Sequence, residues 1–192
     1  MYTNAKANDG NTVVVAAPSV KVKKDEYVRV EGTVVDMFEG TNAFGGKVTA
    51  PRVRGTTVQT ITREEVIAPA LKSHAALPTV AQHGLAITIT KVELAESETR
   101  VYLKVVNRST ESASAYSHSI KLVQGSRQFE AKFSFDTNYP QLASDLLPGI
   151  EADAIVLYDA VNAAEPFRIV WDGPRTNNFR LQFQPYEWTV PA

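Results

Sequence analysis

From Thr12 onward, short runs rich in Val, Ile, Thr, Tyr and Phe are separated by clusters of Gly, Pro, Asn and Asp. No stretch keeps a 3.6-residue apolar period for more than about two turns, so the pattern predicts an all-β chain. Val13, Val14 and Val15 mark a first strand. A longer strand is expected over 27–38, with Tyr27, Arg29 and Glu31 on one face and Val28, Val30 and Gly32 on the other. Gly32 falls in mid-strand, where a bulge or sharp bend is expected. Beyond the turn-rich segment 40–46, the runs 47–53 and 56–62 predict two further strands. The one helix-like piece is 64–71, which Pro69 should end or bend.

Between 72 and 84 the periodicity fades around a proline, which places a domain boundary there. The expected organisation is a flexible lead-in over 1–11, a small β-domain over 12–72, a linker over 73–83 and a larger domain over 84–192. Within the larger domain, Leu85, Ile87 and Ile89 share one strand face, and Val101, Leu103 and Val105 alternate with Tyr102, Lys104 and Val106. Further strands are expected at 115–118, 120–124, 128–135, 154–158, 167–171 and 179–183, with Gly125-Ser126 as a hairpin turn. This spacing suits two packed sheets. Phe179, Leu181 and Phe183 read as the inward stripe of a last strand. The other reading makes Phe179, Phe183, Trp171, Tyr186 and Trp188 a platform for sugar rings or bases.

Composition narrows the chemistry. The 192 residues contain no cysteine, which removes thiol nucleophiles, disulfides, iron–sulfur clusters and thiolate zinc sites. Twenty basic and 21 acidic side chains give a net charge of −1, so the whole chain has no reason to seek polyanions. Divided at residue 72, the first part carries ten basic and eight acidic groups and the second ten and thirteen. That permits a modest basic patch on the first domain and nothing more. No run approaches the ~20 apolar residues of a membrane span, and no signal peptide is recognisable. Two expectations follow for the compartment: a cytoplasmic protein, or an extracytoplasmic one whose export signal or anchor lies outside this sequence, so that any membrane attachment would use a segment absent from it.

Candidate catalytic and metal sites are sparse. His74, His83 and His118 share no metal-ligand spacing, and no cofactor motif is present. Ser117 and His118 are neighbours on an expected strand, where they would point to opposite faces and cannot form a nucleophile–base pair. The glycines of 40–46 are not followed by a helix that could cradle phosphate, and suit a β-loop; a bare turn is the first reading of it, and a ligand contact through Thr41, Asn42 and Phe44 the second. Asp136, Asn138 and Asp145 flank Tyr139-Pro140 and carry the hard oxygens calcium prefers, although turn capping explains them equally well.

Gly84 to Glu93, then Thr99 to Asn107, then Leu146-Leu147-Pro148-Gly149-Ile150-Glu151 leading into Ala154 to Tyr158, resemble the immunoglobulin-like domains of bacterial extracytoplasmic proteins related to the mycobacterial immunoprotective extracellular antigen. The resemblance covers about 84–190 and rests on a strand ending in Val-x-Asn and on a Leu-Pro-Gly-x-Glu turn. It implies an exported or membrane-anchored protein of a family without known catalytic residues; this chain lacks the lipobox cysteine many of its members use. The run 27–35 resembles the first strand of nucleic-acid-binding OB barrels.

Together these readings predict an all-β protein, a small OB-like β-barrel domain followed by an immunoglobulin-like β-sandwich. The expected role is a non-enzymatic binding or adaptor module of a bacterial cell envelope, with a protein or envelope ligand and no cofactor or metal. Asn42, Phe44, Arg29, Arg52 and Arg54 are the candidate contacts. The alternative is single-stranded nucleic-acid binding by the first domain, with those arginines and Lys47 on phosphates and Tyr27 or Phe44 stacking on bases.

Overall fold

A computed structural model describes residues 11–24, 26–41, 43–133 and 139–192. The fold is all-β, and the chain divides into two compact units, Met1–Pro69 and Ala70–Ala192.

The first unit is a ribbon. β1 (Val13–Val15), β2 (Tyr27–Thr41) and β3 (Lys47–Ile61) form one sheet in the order β1-β3-β2, with β1 parallel and β2 antiparallel to β3. The two 15-residue strands make a hairpin about 50 Å long at ~3.4 Å per residue. The runs 47–53 and 56–62, expected as separate strands, are one continuous β3, and Gly55 lies inside it opposite Gly32. Three strands, one of them three residues long, cannot close on themselves, so the expected barrel is an open sheet. Gly32 does sit at an irregularity: the pairing slips between Glu31 and Gly32, and again between Val34 and Asp36. A Cβ at Gly32 would lie 2.2 Å from the Arg54 carbonyl oxygen, so the close approach requires glycine. After β3, Thr62 caps the short helix α1 (Arg63–Ile67) with a capping box to Glu65, and the helix ends before Pro69.

The second unit is a sandwich. β4 (Ala70–His74), β5 (Val80–Gln82), β6 (Leu85–Ala95), β7 (Glu98–Asn107) and β12 (Glu151–Asp159) build one sheet in the order β12-β7-β6-β4, with β5 also pairing on β6. β9 (Ile120–Gln124), β10 (Arg127–Glu130), β13 (Phe167–Trp171) and β15 (Tyr186–Val190) build the other in the order β10-β9-β13-β15. A small sheet joins β8 (Ala113–Ser114), β11 (Asp145–Leu146) and β14 (Arg175–Thr176). Leu85, Ile87, Ile89, Val101, Leu103, Val105 and Tyr158 from the first sheet and Ile120, Leu122, Phe167, Ile169 and Trp171 from the second form one buried cluster. Tyr158 Oη donates to the Ile120 carbonyl across the layers.

Three expectations change here. Residues 73–83 are not a linker: β4 and β5 pair with β6, and the β5–β6 turn is His83-Gly84 with φ of 48° and 84°, the two positive values a tight primed hairpin loop needs. Residues 115–118 hold no strand; β8 stops at Ser114 and Ser117–Ser119 is a 3₁₀ turn. Residues 179–183 are not the last strand either, and Phe179 is 92% exposed. That strand is β15, after Pro185, and it buries Tyr186, Trp188 and Val190. Trp171 and Trp188 are thus core side chains, their indole N–H groups donating to Tyr116 and Pro78 carbonyls.

Candidate functional site

The ribbon's two faces follow from its register. Residues paired across strands share a face, and alternate residues along a strand return to it. Arg52 and Arg54 alternate on β3, and their partners Asp36 and Thr33 lie on β2. The β2 sequence Thr33, Glu31, Arg29, Tyr27 continues the same side, because the extra residue at the first irregularity, Thr56, belongs to β3. The expected arginines therefore do share one face with Tyr27. Their charges are not equally available: Arg52 holds Asp36 at 3.3 Å and lies over the Phe38 ring, 5.8 Å from its centroid. Phe44 is in the turn joining the strands and is 97% exposed. Asn42 lies outside the described residues.

The opposite face is apolar in its middle rows. Val14, Val53 and Val34 form a row across all three strands, Met37–Pro51 is the next row toward the tip, and Gly32–Gly55 and Val30–Val58 continue toward the base. Val34 and Met37 are 49% and 56% exposed. In the expected OB-like barrel one of the two faces would be interior. The alternation of Val28, Val30 and Gly32 was visible, but whether a second layer covers it was not.

Sequence-predicted chemistry in the second unit disperses. His74 is in β4 with its Nε2 buried and without a hydrogen-bond partner, and burial, helped by Lys72, lowers its pKa. His83 donates to the Gln182 carbonyl and meets the Phe183 ring edge-on, while His118 lies against Tyr116. Asp145 is exposed in β11; Asp136 and Asn138 are outside the described residues. No group of three potential metal-ligating side chains occurs among the described residues. A cleft lined by Ser117, His118, Lys132, Tyr139 and Ile155 has a volume of ≈ 20 Å³, room for a water and not for a metabolite.

The strongest polar cluster is on the outer side of β6 and β7. Glu93 accepts from Lys91 Nζ (2.7 Å), Arg100 Nε (2.9 Å) and Tyr102 Oη (2.8 Å), and Arg100 also donates to Glu98 (2.6 Å). Burial pushes the Glu93 carboxyl up, but these three donors outweigh it and hold the group below its ordinary range. Arg100 is almost fully buried and its charge is fully spent, which makes this a structural brace of the sheet.

No family model matches the chain, and no curated protein matches it. Among solved structures, it is similar to a functionally unknown protein from Listeria monocytogenes at 10% identity and a TM-score of 0.46, covering 65% of this chain and 86% of that one. It is also similar to a candidate lipoprotein from Bacillus subtilis at 10% identity and a TM-score of 0.48, covering 59% of this chain and 38% of that one. No helix among the described residues is long and apolar enough to cross a membrane.

Proposed function

We propose that this protein is a non-catalytic binding or adaptor module working outside the cytoplasm as part of a bacterial cell envelope. The sandwich is its scaffold, and the polar ribbon face with its tip is the surface that meets a protein or envelope ligand. The observation that carries this reading is the register of the ribbon, which sets Arg29, Arg54 and Tyr27 on one face, with the exposed Phe44 in the turn at its end. Exposed aromatic and arginine side chains are the groups that dominate interface energies. The extracytoplasmic placement is supported by the two motifs that carry the family resemblance. In the fold those motifs meet: Gly149 N–H donates to the Asn107 carbonyl, and Asn107 Nδ2 donates to Leu146.

The test is cosedimentation of the purified chain with isolated envelopes of the producing bacterium. Saturable binding is expected, weakened at least about tenfold by Phe44→Ala with Arg54→Ala; no cosedimentation contradicts the proposal. Single-stranded nucleic-acid binding is the second reading, supported by the shared face of Arg29, Arg54 and Tyr27. Counterion release makes it strongest at low salt, so binding of a labelled oligothymidylate that falls with added salt would favour it over an envelope ligand.

A further inference from the structure

We propose that the apolar face of the ribbon is covered by the same face of a second copy of this chain, the two ribbons lying tip beside tip. This is a different face from the one assigned to ligand and does not rest on that assignment.

Its apolar rows follow one another: Val30–Val58, then Gly32–Gly55, over which Val14, Val30 and Val58 lean, then Val14–Val53–Val34, then Met37–Pro51. Val14, Val34 and Met37 are exposed and the other side chains of these rows half-buried, an apolar patch of the kind that marks an interface. A two-stranded face about 50 Å long and roughly 10 Å wide gives on the order of 1,000 Å² over two copies, at the threshold of a specific interface.

What selects a second copy is self-complementarity. A two-fold axis along the ribbon lays β2 of one copy over β3 of the other at the same level. Each cross-strand row then meets itself: Val34 faces Val53 and Met37 faces Pro51. Toward the tip the same face carries Glu39, paired with Thr49, and Lys47 two residues further along β3. Among the described residues neither Glu39 nor Lys47 makes an ion pair within its own chain. The two-fold brings Glu39 of each copy toward Lys47 of the other, twice per dimer, at the rim of an apolar strip. The reverse arrangement, tip against base, places both charges over the Val30–Val58 end and leaves them unpaired. Both polar faces and both Phe44 side chains stay outward, so the dimer presents two contact surfaces at one end.

Sedimentation equilibrium of the full chain tests this. A dimer at micromolar concentration is expected, and Val34→Asp with Met37→Asp should yield monomer. Near-ultraviolet circular dichroism from Trp171 and Trp188 should remain, since both lie in the sandwich core. Lys47→Glu, an exposed change that leaves the fold intact, should weaken the dimer about tenfold, as two rim ion pairs become repulsive. Adding Glu39→Lys should restore it. A wild-type chain that stays monomeric to about 1 mM, or a dimer that Val34→Asp with Met37→Asp leaves unchanged, overturns the proposal; failure of the charge swap to restore association overturns the tip-beside-tip arrangement.

Discussion

Asn107 closes β7 with a fully buried side chain that satisfies backbone on three sides. Its Nδ2 donates to the carbonyls of Glu111 (2.8 Å) and Leu146 (2.9 Å), and its Oδ1 accepts from the Ser109 backbone N–H (3.0 Å). Asn107→Ala removes these bonds and strands buried partners, so a loss of about 3 kcal/mol is expected in urea unfolding. A strand-ending Asn was readable as a turn signal in the sequence. Its burial was not, because Leu146 arrives from 39 residues away. The Glu93 brace was likewise invisible: Lys91, Glu93, Arg100 and Tyr102 look like ordinary outward residues until β6 and β7 pair. Glu93 has its pKa lowered in the fold, so its contribution is complete above the ordinary value of 4.5 and is lost as pH falls through the lower folded value. Glu93→Gln should flatten that acid limb of the stability profile and, by leaving buried Arg100 short of a counter-charge, cost about 3 kcal/mol at neutral pH.

At the scale of elements, strands with strict alternation were legible: the inward sets of β6 and β7 and the bounds of β9 and β13 follow the apolar period of two. The last strand was misplaced because Phe179, Leu181 and Phe183 alternate as well as Tyr186, Trp188 and Val190 do. What decides between them is the partner, since β13 pairs Trp171 with Tyr186 and Phe167 with Val190. Pro185 precedes the strand, where a missing N–H costs no ladder bond. Trp188→Ala removes a stack on Tyr186 and the bond to Pro78, and should destabilise the sandwich by about 3–5 kcal/mol, measurable by denaturant titration. Phe179→Ala should have an effect within about 0.5 kcal/mol, because that ring is in solvent. The β5–β6 hairpin escaped notice because its turn uses His83 at positive φ, a position where Asn or Asp is the usual signal.

At the scale of the molecule, the all-β class was written in the composition of the strands, whereas closure of the first unit was not. A barrel and an open ribbon share the same alternating pattern, and only the number of strands separates them. The consequence is functional: valines that a barrel would hide become a surface, and the arginines opposite them share a second one. If the ribbon is the working part and the sandwich the scaffold, the two should respond differently to ligand. Native-state amide hydrogen exchange of the full chain, with and without isolated envelopes, reads this directly. Protection is predicted to rise along β2 and β3 and in the turn that joins them, with β6, β7, β9 and β13 slow and unchanged in both conditions. New protection confined to sandwich loops, with β2 and β3 exchanging as before, would contradict it.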